Sequence, residues 1–506
     1  MKDRTAIDAL TTGPEEHPTP ALIPAAAMMR LALCGPVGVL LATLACSSSE
    51  PAKEPDDPAK AVYAAPGGWS GGDGTKESPY DLKTALSATS AIHPGGTVWL
   101  RGGIYRVSAT TSVLTGAEKS PITVRSFPGE RAVIDGAQAI GSTLTLNGAW
   151  TIYRDFDITN SDPRRSGPEL NRAAAVDAHG GNVKLVNLVI HDSGSGIGIG
   201  SDAVDTEAYG NIIYYNGMVR PDGPRGPGIY TQSKTGIRRI TDNVVFGQFG
   251  IGIHAYASDE GYLDDIQLEG NVAANNGITA GDFSILLGGH RVAQRPVLKD
   301  NYTYDNPGAG TNVGYDAGCE GLQMSGNYFS VSRGGYATQL VNCSGQLRGN
   351  VFIGGTRGIV GKTIVPPTEL ASQYPGNDFA AAPPTVNKTF VRPNRYAAGR
   401  AHVIVYNWEH SDKVRVDLAA AALPTGATYE LRDVRNLDAQ PVVSGRYSGT
   451  AITIPLQGLT AAPVIGWQPT PPHTAPEFAV FLLTSGSEAP STVSSVIAKL
   501  RGIVGL

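Results

Sequence analysis

An asparagine followed by apolar or aromatic residues comes round seven times in this chain: Asn187-Leu-Val-Ile, Asn211-Ile-Ile-Tyr, Asn243-Val-Val-Phe, Asn271-Val-Ala, Asn301-Tyr-Thr-Tyr, Asn327-Tyr-Phe and Asn350-Val-Phe. The intervals are 24, 32, 28, 30, 26 and 23 residues. Self-similarity at a period of roughly 20 to 50 residues marks a repeat architecture, in which no unit buries its apolar face without its neighbours. Gly or Asp precedes the Asn in six of the seven cases, and a short apolar strand follows with no helical periodicity between units. The chain is therefore expected to wind as a coil of short strands and turns. Asn tolerates left-handed geometry at a tight corner, and its amides stack from coil to coil, so a structural role is expected for the repeat.

Composition agrees with a turn-rich β protein: 63 Gly, 35 Pro and 17% charged residues in 506. The formal charge of -5 excludes little, but the lack of Lys/Arg-rich runs and of zinc-like Cys/His spacing argues against a nucleic-acid partner. Near the amino end, Met28-Met-Arg30 leads into the apolar stretch Leu31 to Leu44 and then Ala45-Cys46-Ser-Ser-Ser. A positive region, an apolar core and small residues make an export signal. Thr43-Leu44-Ala45-Cys46 resembles a bacterial lipobox, which implies lipidation at Cys46 and a membrane anchor. Residues 1–45 are thus read as an extension and export signal, and 46–62 as a flexible tether. The expected location is outside the cytoplasm, as a surface or outer-membrane lipoprotein or a secreted protein, and the expected state is a monomer. Cys319 and Cys343 hold nearly equivalent places before Asn327 and Asn350, so they should lie on neighbouring coils, where a disulfide or stacked buried thiols would fit equally.

Tyr63-Ala-Ala-Pro-Gly-Gly, Gly74-Thr-Lys-Glu-Ser-Pro-Tyr, Asp81-Leu-Lys-Thr-Ala-Leu and Pro94-Gly-Gly-Thr-Val-Trp-Leu-Arg-Gly-Gly-Ile-Tyr resemble the opening of right-handed parallel β-helix proteins of the pectin-lyase-like class. The resemblance covers about Tyr63 to Gly361. It implies an all-β fold: a right-handed parallel β-helix (solenoid) over 63–383, its open end capped by a short helix for which Asp81 to Ala88 fits, with Asp81 as N-cap. After Pro383-Pro384 the pattern changes to short strands at His402–Trp408, Val414–Leu418, Tyr429–Arg432, Ile452–Pro455 and Phe478–Leu483, expected to form a carboxy-terminal β-sandwich over 384–485, with a tail at 486–506. The class includes lyases, hydrolases, epimerases and non-catalytic surface proteins, so the fold leaves the reaction open.

A second ladder is sharper. Gly196-Ile-Gly-Ile-Gly, Gly228-Ile-Tyr-Thr-Gln, Gly252-Ile-His-Ala-Tyr and Ser284-Ile-Leu-Leu-Gly recur at intervals of 32, 24 and 32. Side chains alternate along a strand, so Ile197, Ile229, Ile253 and Ile285 should share the core face. The opposite face then carries Gly198 and Gly200, Tyr230 and Gln232, His254 and Tyr256, Leu286 and Gly288. Imidazole and phenol suit general base and acid work at a sugar carbon. His254, Tyr256 and Tyr230 are the expected catalytic groups, with Gln232, Lys234 and Arg238 as substrate-binding residues. Elimination at a uronate requires neutralising its carboxylate, and Arg225 is the expected clamp. If Ca²⁺ serves instead, Asp202, Asp205 and Glu207, or Asp259 and Glu260, are the candidate ligands. A hydrolase would need two carboxylates flanking the bond, for which Asp222 and Asp259 are candidates. The expected partner is a polysaccharide, with lyase-like chemistry on an acidic glycan preferred; glycoside hydrolysis and non-catalytic glycan binding remain alternatives.

Overall fold

The computed structural model describes residues 60–486 apart from 280, 305–308, 332–334 and 362. The export signal, the Cys46 lipidation site, most of the tether and all but the first residue of the 486–506 tail lie outside the described residues. Three large, almost wholly parallel sheets of twelve, eleven and eleven strands dominate the described part. Each coil gives one strand to each sheet in turn: Lys184–Val186, Val189–His191 and Ile197–Ile199, then Glu207–Tyr209, Ile212–Tyr214 and Ile229–Thr231. These three positions are called sheets 1, 2 and 3. Strands in parallel register joined by whole turns of chain wind right-handed, so the body is a right-handed parallel β-helix.

The corner from sheet 1 to sheet 2 explains the asparagine repeat, and it divides the labour between two residues. The residue before the Asn carries the left-handed backbone: Gly210 (φ 66), Asp242 (φ 52), Gly270 (φ 69), Asp300 (φ 51), Gly326 (φ 65) and Gly349 (φ 62). Gly and Asp tolerate that region with little penalty. The Asn itself is buried and spends its amide along the axis. Asn211 donates to the Asn243 side-chain oxygen at 2.8 Å, Asn243 to Asn271 at 2.9 Å, Asn271 to Asn301 at 3.0 Å, Asn301 to Asn327 at 2.9 Å and Asn327 to Asn350 at 2.8 Å. Asn350 extends the run to Asn377 at 2.7 Å. The expectation that the Asn takes the left-handed turn is corrected at these positions. Only Asn187 does so (φ 55), because it stands one residue out of step: Val189 pairs with Ile212, so Leu188 rather than Asn187 lies opposite Asn211.

Inside the coils, Ile197, Ile229, Ile253 and Ile285 are in direct register and fully buried. The amino end is closed by a helix shorter than expected, Leu82–Ala85, with the Asp81 carboxylate accepting from the Thr84 N–H at 2.7 Å and Leu82 and Ala85 turned into the core. Cys319 and Cys343 are register partners on adjacent coils and form a disulfide, with Cα atoms 4.4 Å apart.

The carboxy-terminal strands Lys388–Pro393, Ala401–Tyr406, Phe478–Ser485, Thr428–Asp433 and Val443–Arg446 form an antiparallel sheet facing the pair Lys413–Val416 and Ile452–Pro455, the two layers of a sandwich. Its other face packs on sheet 2. Ile404, Tyr406, Trp408 and Phe478 share one apolar cluster with Phe246, Val272, Tyr302 and Tyr328 of the β-helix. The Trp408 indole donates to the Tyr328 hydroxyl at 2.9 Å, and the Tyr406 hydroxyl to the Thr303 carbonyl at 2.9 Å.

Candidate active site

With sheet 2 under the sandwich, the outward positions of sheet 3 are the ones that gather polar aromatic groups. Gly198, Tyr230, His254 and Leu286 follow one another in register across four coils. The Tyr230 and His254 rings meet edge-on with centroids 5.4 Å apart, and His254 and Tyr256 lie 5.1 Å apart. Two further rings complete the cluster from later coils, His290 at 6.0 Å and Tyr315 at 5.9 Å from Tyr256.

The hydrogen bonds separate fixed groups from free ones. The Tyr230 hydroxyl donates to the Tyr256 carbonyl at 3.2 Å and accepts from Gln232 Nε2 at 2.9 Å. Tyr230 and Gln232 thereby hold the backbone beneath Tyr256, a positioning task that leaves neither the phenol nor the amide donor of this pair idle. The His254 imidazole and the Tyr256 hydroxyl make no hydrogen bond to any described residue. The rings of Tyr230 and Tyr256 leave the imidazole only partly exposed, and this burial pushes His254 down to about 4. Burial, then the neighbouring Tyr315 and Tyr230 phenols, push the Tyr256 hydroxyl up. Near neutral pH the pair is therefore a free imidazole beside a protonated phenol.

The expected cations distribute differently. Arg225 lies on a hairpin of Met218–Arg220 and Gly223–Arg225, where its exposed guanidinium pairs with Asp222. Arg238 is 1% exposed and donates to the carbonyls of Ala203 at 2.6 Å, Gly200 at 2.9 Å and Gln232 at 3.2 Å. It braces two turns and cannot reach a ligand, which corrects its expected substrate-binding role. Lys234 does stand free, with Nζ 5.1 Å from the centre of the Tyr262 ring, and Arg291 faces the same ring at 4.6 Å. Ser233 N–H bonds the Tyr262 carbonyl at 3.0 Å, tying this ring to the turn just after Gln232.

The expected calcium ligands do not converge. Asp205 accepts from the Ile237 N–H at 2.9 Å, while Glu207 is buried on sheet 1, bonded to Arg395 and to the Tyr396 hydroxyl at 2.5 Å. Asp202 is exposed on the turn that precedes both. Asp259 lies 3.8 Å from His290 Nδ1. Among the described residues no group of three or more His, Cys, Asp or Glu side chains is placed to hold a metal ion. Of the two carboxylates a hydrolase would need, Asp222 pairs with Arg225 on the hairpin and Asp259 stands beside His290.

A family model for the Pel9A-like right-handed β-helix region matches residues 62–318. The chain belongs to this family. Pectate lyase L of Paenibacillus polymyxa (strain SC2) is 25% identical to this Pel9A-like chain over 271 residues, 48% of this chain and 58% of that protein. Pectate disaccharide-lyase of Dickeya chrysanthemi is 33% identical over 103 residues, 20% of this chain and 13% of that protein. The chain thus spans less than two thirds of each of these curated relatives. Among solved structures, pectate lyase Pel9A shares 14% identity at a TM-score of 0.40, covering 64% of this chain and 78% of that one.

Sequence reasoning missed Tyr262, His290, Arg291 and Tyr315. All four stand on the turns leaving sheet 3 or at that sheet's edge, where chain length varies between coils. The signal that could have found them is the continued register of the Gly-Ile ladder into Phe283–Gly289 and Ala309–Tyr315.

Proposed function

We propose that this protein is a polysaccharide lyase-like enzyme acting on an acidic glycan laid across the outward face of sheet 3. The observation that carries the reading is the unbonded pair of His254 and Tyr256, with Lys234 and Arg291 on the turns that follow the sheet 3 strands Ile229–Thr231 and Phe283–Gly289, on a Pel9A-like β-helix whose curated relatives are named as pectate lyases. In the elimination, His254 takes the proton from C5 of a uronate, its electrons form the C4–C5 double bond, and the C4–O bond breaks. The departing oxygen takes the proton of Tyr256. Lys234 and Arg291 supply the positive charge that makes the C5 proton acidic, the role first expected of Arg225. Among the described residues no three carboxylates converge to hold Ca²⁺. The Cys319–Cys343 disulfide suits an oxidising compartment, which supports an exported protein, either secreted or anchored through Cys46.

The test is incubation of the purified protein with a panel of uronate polymers, with and without Ca²⁺, following absorbance of the unsaturated product. That absorbance is expected with at least one polymer, and His254→Ala should lower the rate by about 10²-fold or more. Reducing ends without the absorbance would mean hydrolysis, binding without turnover would mean a glycan-binding protein, and full activity in His254→Ala would remove this residue from the mechanism.

A further inference from the structure

A pair of titratable side chains stands on sheet 3 away from the His254 cluster. On the strand Ala174–Ala178 and just beyond it, Asp177 and His179 point outward, with His179 Nε2 3.1 Å from Asp177 Oδ2. Asp177 is in register with Gly198, and Gly198 with Tyr230. The dyad and Tyr230 are therefore separated by a coil that presents only Gly198 and Gly200, a gap of two strand spacings or about 10 Å.

The atoms not used in the pair look into that gap. A Cβ on Gly198 would lie 3.2 Å from Asp177 Oδ1, and one on Gly200 would lie 3.2 Å from His179 Nδ1. Neither glycine has a positive φ, so the backbone there does not demand glycine. What a side chain at either position would take away is the space in front of two hydrogen-bonding atoms. With an Nε2–H donated to Asp177, an uncharged imidazole presents Nδ1 as an acceptor, and the free carboxylate oxygen is an acceptor too.

We infer that this bay is a saccharide subsite: one pyranose ring of the bound glycan lies over Gly198 and Gly200, against Tyr230, with its hydroxyls donating to Asp177 Oδ1 and His179 Nδ1. Two acceptors, one of them anionic, select the hydroxyl edge of a sugar and repel a carboxylate, so a uronate in the bay turns its acid group away. The glycan then crosses the strands, from the bay over Tyr230 to His254 and Tyr256. The inference rests on sheet 3 being the glycan-binding face, and it does not require His254 to do chemistry.

Calorimetric titration with galacturonate oligomers of increasing length, alongside absorbance of the unsaturated product on the same oligomers, tests it. For the wild type, the unit that reaches the bay should raise affinity about tenfold, the scale of one or two hydrogen bonds to charged groups. Gly200→Val, which fills the bay, and His179→Leu, which removes the acceptor, should both lose that step while keeping the wild-type melting temperature. Length-dependent binding that these substitutions abolish, in the absence of any turnover, would uphold the subsite and defeat the lyase reading. Turnover with a length dependence unchanged in both variants would do the reverse. A wild type that binds none of the oligomers would overturn the subsite.

Discussion

His254 has its chemical character set by two neighbouring rings rather than by a charged partner. An imidazole held down to about 4 stays uncharged through the neutral range, so the acid limb of kcat/KM should fall near pH 4 rather than near the 6.5 of an ordinary histidine. A pH–rate profile of a uronate substrate measures this directly; an acid limb near 6.5 would assign the base elsewhere. His402, buried under the sandwich, is pushed lower still, to about 3, by burial and then by the Arg400 charge. Both shifts act on stability in the same direction. Between the folded value and about 6.5 the unfolded chain binds a proton that the native chain refuses, so stability is complete above pH 6.5 and declines as pH falls. The slope from one such histidine is at most about 1.4 kcal/mol per pH unit. His402→Leu should bring the urea midpoints at pH 7 and pH 5 closer together, and an unchanged separation would show that His402 is not the group responsible. Strand alternation alone put Tyr230, Gln232, His254 and Tyr256 on one face. It could not show that Arg238, four residues after Lys234, turns inward to three carbonyls, because turn length decides which way a strand's first residue points.

At the scale of an element, the sheet 1 to sheet 2 corner is the most regular structure in the molecule. Each ladder Asn is bonded on both sides: Asn271, for example, donates to Asn301 and to the Ile240 carbonyl at 2.7 Å, and accepts from Asn243 and its N–H. Asn271→Ala would strand several buried polar groups at once and should cost about 3 kcal/mol, read from chemical denaturation. Asn187→Ala, outside the ladder, should cost less than half of that. Equal losses would mean that the stacked amides contribute nothing beyond an ordinary turn. The pattern of Gly or Asp before Asn was visible in the sequence, and so was the winding it produces. The split of roles within that dipeptide was not, since both Gly-Asn and Asp-Asn read equally well as a turn whichever member takes the positive φ.

For the whole molecule, the decisive contact is the sandwich on sheet 2. Aromatic rings from both parts interleave, with Tyr304 stacked on Phe478 at 4.6 Å and Tyr406 4.7 Å from Tyr328. A buried ion pair of Arg165 with Asp192 is closed from the sandwich side, where the Ile465 N–H donates to Asp192 at 3.0 Å and the Ile465 carbonyl accepts from Arg165 at 2.8 Å. Such an interface couples the two parts. Thermal unfolding should give one cooperative transition, and a chain ending at residue 383 should aggregate through the uncovered rings of sheet 2. Two separate calorimetric transitions would show that the parts fold independently.

The amino-acid sequence by itself determined the winding, the corners, the inward isoleucine ladder and the outward quartet around His254, because each is a local periodicity repeated from coil to coil. Tertiary structure alone decided that Cys319 and Cys343 are joined, that the sandwich covers sheet 2, that Lys234 and Arg291 meet on Tyr262, and that Asp177 and His179 overlook the Gly198–Gly200 bay. Those outcomes depend on where turns of unequal length travel and on which surface a second domain buries, and neither is written in any repeat.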